Sequence, residues 1–188
     1  MCHGKVVIPL IFTAAYSSPV GQIRLAAQGD ALTGLWFEGQ KYFPHELVAN
    51  AAPSEEHPVL LQTKDWLERY FSGLNPSPTE LNLAPPGSEF RRQVWNLLLQ
   101  IPYGQVTTYG ALAKALAQTR GLTSMSAQAI GGAVGHNPIS IIIPCHRVVG
   151  ADGSLTGYAG GLDKKIALLT LEGIDMDTLY RPSRGTAL

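Results

Sequence analysis

Apolar and polar positions alternate along Gln22-Ile-Arg-Leu-Ala-Ala-Gln and again along Ala31-Leu-Thr-Gly-Leu-Trp-Phe, with Gly29-Asp30 between them. A period of two puts one side of each stretch on a core, and a Gly-Asp pair between such stretches closes a β-hairpin. The preceding Ala14-Tyr-Ser-Ser-Pro-Val-Gly reads as turn-rich chain. From Pro58 to Phe71 the period changes. Val59, Leu60, Leu61, Trp66, Leu67, Tyr70 and Phe71 recur near helical spacing, predicting one helix packed on a small sheet. Asn75-Pro-Ser-Pro and Ala84-Pro-Pro-Gly follow, and prolines lack the donor that regular structure needs, so this stretch reads as a linker ending at Gly87.

Beyond Gly87 the pattern is mostly helical. Ser88 can cap a helix in which Phe90, Val94, Leu97 and Leu98 form one apolar stripe. Ile101-Pro-Tyr-Gly-Gln-Val turns the chain into Thr107 or Thr108, either of which can cap a second helix from Tyr109 to about Gln118. A loop, Thr119 to Thr123, precedes a third helix from Ser124 or Ser126 to Val134, an order compatible with a helix-turn-helix. Ala127-Gln-Ala-Ile-Gly-Gly-Ala-Val-Gly contains three glycines, each costing about 1 kcal/mol against alanine inside a helix. Either close packing within the protein or the close approach of another molecule's backbone requires the missing side chains. Ile139-Ser-Ile-Ile-Ile reads as a buried strand ended by Pro144, Asp152-Gly153 as a turn, and Gly157-Tyr-Ala-Gly-Gly as a loop. A last helix, Leu162 to Glu172, turns Ile166, Leu168 and Leu169 inward, and the tail from Asp175 is assigned no role.

Composition narrows the class. A chain of 188 residues, 45% apolar and 15% charged, with no apolar run near the roughly 18 residues of a membrane span, is a globular protein of one large or two small domains. No signal-peptide cleavage site follows the short apolar start, so a cytoplasmic location without membrane association is expected. Cys2 and Cys145 cannot build a disulfide scaffold, which leaves Cys145 a free thiol. The net charge of zero hides a division: through Gly87 the sum is 5 − 8 = −3 and beyond it 9 − 6 = +3. An asymmetry of that kind suits a half that binds a polyanion, and equally an ordinary solvated surface.

The strongest chemical signal is Cys145 followed by His146, because a thiolate is the nucleophilic form of cysteine and a histidine can take its proton. Successive strand residues point to opposite faces, so the pair can communicate only through a bend after Pro144 or a bridging water. Glu172 is a candidate to orient the histidine. No dinucleotide or P-loop glycine motif and no Cys-x-x-Cys or His-Glu-x-x-His spacing occurs, so neither a cofactor nor a metal is expected. His3, His45, His57 and His136 are isolated and read as surface or hydrogen-bonded residues.

The run Asn137-Pro-Ile-Ser-Ile-Ile-Ile-Pro-Cys-His-Arg-Val-Val-Gly, with Thr156-Gly-Tyr-Ala-Gly-Gly-Leu, Glu172-Gly and Pro102-x-Gly-x-Val-x-x-Tyr-Gly, resembles the methylated-DNA–protein-cysteine methyltransferases, which repair O6-alkylguanine. The resemblance is strongest over residues 90–173 and weaker over residues 6–87. It implies an α+β, two-domain fold: a small N-terminal ribonuclease-H-like domain (residues 1–87), a C-terminal winged helix-turn-helix-like domain (88–174) carrying the cysteine, and a tail (175–188). It implies Cys145 as alkyl acceptor, His146 as a water-mediated base and Glu172 as its holder. Tyr109 would donate to the leaving guanine, and Asn137 would tie the turn before the cysteine. Val148, Tyr158, Ala159 and Gly160 would wall the flipped base. Thr108, Ala127, Gln128, Ala129, Gly131, Gly132 and Arg147 would meet the DNA, with the small residues admitting the helix to the minor groove.

The implied partner is duplex DNA containing O6-alkylguanine or O4-methylthymine, met by a monomer that turns over once, because a thioether sulfur is a poor leaving group. A lesion reader that recruits other repair proteins without transfer, and an unrelated thiol hydrolase, are the competing classes. At one position the chain departs from the resemblance: Gln128 stands where the family commonly has an arginine that fills the gap left by the flipped base. Arg120, in the loop before, is a candidate for a compensating phosphate contact.

Overall fold

The computed structural model describes residues 10–182; Cys2, His3 and the start of the short apolar N-terminal stretch lie outside the described residues, as do residues 183–188. The hairpin read from the alternation is present as β2 (Gly21–Gln28) and β3 (Ala31–Phe37), antiparallel around Gly29 at φ +61°. β1 (Ile11–Ser18) precedes them and pairs antiparallel with β2. Part of the stretch expected to be turn is therefore strand. Ala14 and Tyr16 face the core while Ala15 and Ser17 face out, and only Pro19-Val20 turns. After α1 (His45–Asn50), β4 (Ala52–Pro53) adds parallel to β1, giving the order β3-β2-β1-β4. The predicted helix is α2 (Pro58–Phe71), which buries Leu60, Thr63, Trp66, Leu67 and Tyr70 against the sheet. Full burial of one large apolar side chain contributes about 1.5–3 kcal/mol, so this face fixes the helix in place.

The linker is not loose. Ser77 and Glu80 form a capping box on a 3-10 turn, and the next residues run beside β3: Leu32 N donates to Asn82 O (2.8 Å) and Ala84 N to Leu32 O (2.9 Å). α3 (Glu89–Leu98) starts where Ser88 Oγ accepts from Arg91 N. β5 (Thr107–Thr108) leads into α4 (Tyr109–Thr119), capped by Thr108 Oγ1 accepting from Ala111 N. α5 (Ala127–Gly135) is capped by Ser126, and α3, α4 and α5 pack on one another. β6 (Val148–Val149) pairs parallel with β5, and α6 (Leu162–Leu171) closes the domain.

Residues 139–143 are buried, as their apolarity requires, but they do not form the expected strand. Ile139 makes one parallel bridge to Leu35, and the chain then turns, with Ile142 N donating to Ser140 O (2.8 Å) and Ile143 N to Ile139 O (3.1 Å). Ile141 sits at φ +69°, an outlier for a β-branched residue. A run of isoleucines reports burial; only a partner strand can make it a strand, and here Leu35 alone offers one. The tail also has a role. Leu155 N donates to Tyr180 O (2.8 Å), and Met176 and Leu179 cover a small cluster of Val149, Leu155 and Leu169, against which half-buried Ile166 also packs. The main core runs continuously from Leu25 and Leu35 through Trp95 and Leu98 to Ile142 and Leu168, across the expected boundary at Gly87. Among the described residues no helix is long and apolar enough to cross a membrane.

Candidate active site

One side chain organises the turn that carries the cysteine. Asn137 donates from Nδ2 to the carbonyls of Ile143 (2.8 Å) and Ile139 (3.3 Å) and accepts from Ile139 N at Oδ1 (3.0 Å). It supplies the partners a strand ladder would have given, sparing buried backbone groups that cost about 1–3 kcal/mol each when unpaired. Nδ2 also lies 3.1 Å from Cys145 Sγ. From the sheet side, Leu35 N donates to Pro138 O (2.8 Å) and Ser140 N to Leu35 O (2.9 Å).

Cys145 opens a 3-10 turn, Cys145–Arg147, instead of leaving a strand, so the expected opposition of Cys145 and His146 on two strand faces does not arise. His146 Nε2 lies 2.8 Å from Glu172 Oε1, at the C-terminus of α6. Beside an ionised carboxylate Nε2 carries the proton and donates, which leaves Nδ1 as the lone-pair nitrogen. Nδ1 is buried and meets no protein partner. Glu172 accepts further bonds: Tyr70 Oη donates to Oε1 (2.7 Å), Arg147 Nη2 to Oε1 (2.9 Å) and Arg147 Nε to Oε2 (2.7 Å). Arg147 Nη1 reaches Ile101 O (2.6 Å).

That network corrects the expectation for Arg147. It is 8% exposed, with its fork closed on Glu172, and presents no free edge to a phosphate. It serves as the counter-charge of the carboxylate.

Burial pushes the Cys145 thiol above its ordinary value, against the opposing pull of the Asn137 amide and the Lys165 ammonium. Burial pushes His146 down, with Glu172 pulling it back up. Both shifts favour neutral partners at rest, thiol and imidazole. Glu172 is held ionised: the bonds from His146 and Arg147 outweigh its own burial and bring it down to about 2.

Tyr109, the first residue of α4, donates to Thr156 O (3.2 Å) and Gly157 O (3.3 Å). Burial and the neighbouring Cys145 push its hydroxyl up to about 12, so it remains a donor at neutral pH. Tyr158 is buried, with its ring edge-on to His146 at 6.5 Å. Half-buried Ala159 accepts from Lys41 N (3.0 Å). Gly160 has no room for a side chain, because a Cβ would stand 2.8 Å from Tyr158 and 2.9 Å from Phe37. Val148 is buried in β6.

On α5, Ala127, Gln128, Ala129 and Gly132 are exposed, Gly131 is half-buried, and Ile130, Ala133 and Val134 face the core. A Cβ at Gly132 would meet nothing within 4 Å, and one at Gly131 only ordinary contact with Tyr109 at 3.8 Å. Packing inside this chain does not demand either glycine, which favours the second of the two readings, an approach from outside. Thr108 uses its hydroxyl as the α4 cap. Arg120 donates to Gln93 (2.7 Å) and lies over the Phe90 ring.

Two buried partners escaped the sequence reading. Lys165 is 0% exposed and donates from Nζ to Val148 O (2.6 Å) and Thr156 O (2.8 Å); burial brings it down to about 8. Its signal was present, since positions 165, 168, 169 and 172 share one helical face. Tyr70 had none, because its partner lies 102 residues away. With Arg147, Lys165 and Glu172 inside, the surface sum over the described C-terminal residues becomes (8 − 2) − (6 − 1) = +1.

A buried thiol followed by a histidine bonded to Glu172, in a chain that also exposes a helix of small residues, is a site suited to cysteine chemistry. The family model described as the DNA binding domain of 6-O-methylguanine DNA methyltransferase matches residues 89–174, and that described as its ribonuclease-like domain matches residues 11–85. The chain belongs to the 6-O-methylguanine DNA methyltransferase family. It is 39% identical over 164 residues to the methylated-DNA–protein-cysteine methyltransferase of Haemophilus influenzae, covering 87% of each chain. To that of Methanosarcina acetivorans it is 42% identical, covering 87% of this chain and 99% of the relative. The crystal structure of the Mycobacterium tuberculosis O6-methylguanine methyltransferase matches with a TM-score of 0.74 at 39% identity, over 87% of this chain and 93% of that one. A structure of the Mycobacterium tuberculosis protein in complex with DNA matches at 0.72 and 40%, over 86% and 91%.

Proposed function

We propose that the protein repairs DNA by direct reversal, moving the alkyl group of O6-alkylguanine, and of O4-methylthymine, from duplex DNA onto its own Cys145 in a single turnover. The observation that carries this reading is the buried Cys145 sulfur, fixed by Asn137 beside a histidine relayed to Glu172. α4 and α5 act as a helix-turn-helix, with the parallel β5 and β6 in the place of a wing, and the functional division falls near Gly87. α5 enters the minor groove, where Ala127, Gln128, Ala129, Gly131 and Gly132 leave room for the backbone, and Thr108 and the helix ends meet phosphate. The lesion rotates out of the stack, at a cost of about a few kcal/mol, toward Val148, Tyr158, Ala159 and Gly160.

His146 Nδ1 takes the thiol proton through one water, and Glu172 steadies the imidazolium. The Cys145 sulfur forms a bond to the alkyl carbon as the bond from that carbon to O6 breaks, its electrons passing into the guanine ring. Tyr109 turns from Thr156 and Gly157 to give its proton to a ring nitrogen, then regains one from His146 through solvent. Guanine is thus restored and the thioether remains. The chemistry works in the cytoplasm, where thiols stay reduced, and in a monomer, since every group named comes from one chain.

Mass spectrometry of the intact protein after incubation with a duplex containing O6-methylguanine tests this. A gain of one methyl on Cys145, absent in Cys145→Ala, is expected. Binding of that duplex without a mass gain would sink the transfer reading and leave the lesion reader in its place.

A further inference from the structure

Glu172 Oε1 is crowded. It accepts from Tyr70 Oη (2.7 Å), His146 Nε2 (2.8 Å) and Arg147 Nη2 (2.9 Å), while Oε2 accepts from Arg147 Nε (2.7 Å) and, at 3.5 Å, from Gly104 N. Arg147 supplies the counter-charge and His146 is relayed by the carboxylate. The Tyr70 bond has neither purpose, and it comes from 102 residues away in the chain. Tyr70 is 1% exposed near the end of α2, its ring stacked on Trp66 (5.5 Å, 10° between planes) and edge-on to Tyr103 (6.2 Å). Its hydroxyl therefore cannot swing away. Burial beside the carboxylate pushes that hydroxyl far above the usual tyrosine range, so it never surrenders its proton and is a permanent donor.

We propose that Tyr70 is a positioning residue for the transfer: by taking a fixed share of the Glu172 charge, its hydroxyl keeps His146 neutral and able to accept the Cys145 proton. The proposal rests on the reading of Cys145 as acceptor given above. The groups that face His146 divide by sign. Glu172 favours the imidazolium; Arg147, Lys165 and burial oppose it. Cys145 adjoins it, the Tyr158 ring lies edge-on, and Tyr103 stands beyond Arg147. Shared with Arg147 Nη2 alone, Oε1 would hold the imidazolium more firmly, and a histidine already protonated is no base. Tyr70 adds a neutral donor to that oxygen and weakens the hold without adding charge. The N-terminal part of the chain, which offered no chemistry in its sequence, then adjusts the acid–base balance of a site it does not contain.

The experiment is the pH profile of single-turnover methyl transfer in wild type and Tyr70→Phe, with His146 followed in parallel by NMR titration of its ring protons. The phenylalanine keeps the stacked ring. The acid limb and the His146 titration are expected to move together to higher pH by about 0.5–1 unit, a fraction of the roughly 1–3 units a full neighbouring charge produces. Transfer above the limb should stay within about threefold of wild type, since the relay itself remains. Unmoved limb and titration, with a lower rate at every pH or a lower Tm alone, would overturn the proposal and leave Tyr70 a packing residue. The NMR titration needs no transfer, so it judges Tyr70 even if wild type gains no methyl on Cys145, a result that overturns the acceptor reading instead.

Discussion

Replacing Arg147 by leucine separates a DNA contact from an internal counter-charge. The side chain makes three short bonds, two to Glu172 (2.7 and 2.9 Å) and one to Ile101 O (2.6 Å), and is 8% exposed. Arg147→Leu leaves the buried Glu172 carboxylate without its cation, and removing one partner of such a pair costs about 3–5 kcal/mol. The linkage gives a similar figure. Glu172 lies at about 2 in the fold against 4.5 free, and that depression corresponds to about 3 kcal/mol shared with His146. Because the folded value is the lower, this stability is complete above about pH 4.5 and is lost as pH falls toward 2. Urea unfolding of Arg147→Leu at pH 7 should show that loss, and its stability should decline less between pH 4.5 and 2 than that of wild type. Arg147→Leu with Glu172→Leu should recover only part of the stability, because the buried Tyr70 and His146 lose their acceptor, and should lose transfer. The salt dependence of binding to undamaged duplex should keep its slope in the single variant, because no phosphate contact is lost. A slope reduced by about one, with normal urea stability, would place Arg147 on the DNA and refute the internal role.

Gln128→Arg is expected to tighten binding to damaged duplex at low salt by restoring a charge and a planar group at the exposed start of α5; unchanged or weaker binding counts against that. Gly132→Ala should raise thermal stability by up to about 1 kcal/mol, since its Cβ meets nothing within 4 Å. Its duplex affinity should fall, and an affinity equal to wild type would remove Gly132 from the interface. For Lys165, about 8 in the fold against 10.5 free, the folded state binds fewer protons than the unfolded between those values, so stability should rise with pH across that window. Lys165→Met should abolish the rise, and chemical denaturation at pH 7.5 and 10.5 compares the two.

Local periodicity carried most of the elements. β2 and β3, α2, and the caps at Ser88, Thr108 and Ser126 all follow from patterns only a few residues long. Errors arose where a partner far along the chain decides. The isoleucines before Cys145 become a turn because Asn137 satisfies their backbone while β3 offers one residue, Leu35. Arg147 follows Cys145 and His146 and was grouped with the surface, yet Glu172, 25 residues on, draws it inside. Of the site, Cys145, His146, Glu172, Tyr109 and Asn137 were legible through a resemblance in local motifs. Tyr70 was not, because no short-range pattern encodes a bond across the boundary between two parts of the chain.

Strand β3 is the outer strand of its sheet, and an unpaired edge of mostly apolar residues is a template for joining other chains. Here that edge is occupied from within: Asn82 and Ala84 bond to Leu32, and Pro138 and Ser140 bond to Leu35. The turn that carries Cys145 thus also covers part of the edge of its own sheet. A change that broke the bonds of Pro138 and Ser140 to Leu35 would uncover part of that edge. The covering of that edge and the placing of Cys145 therefore depend on the same few peptide groups.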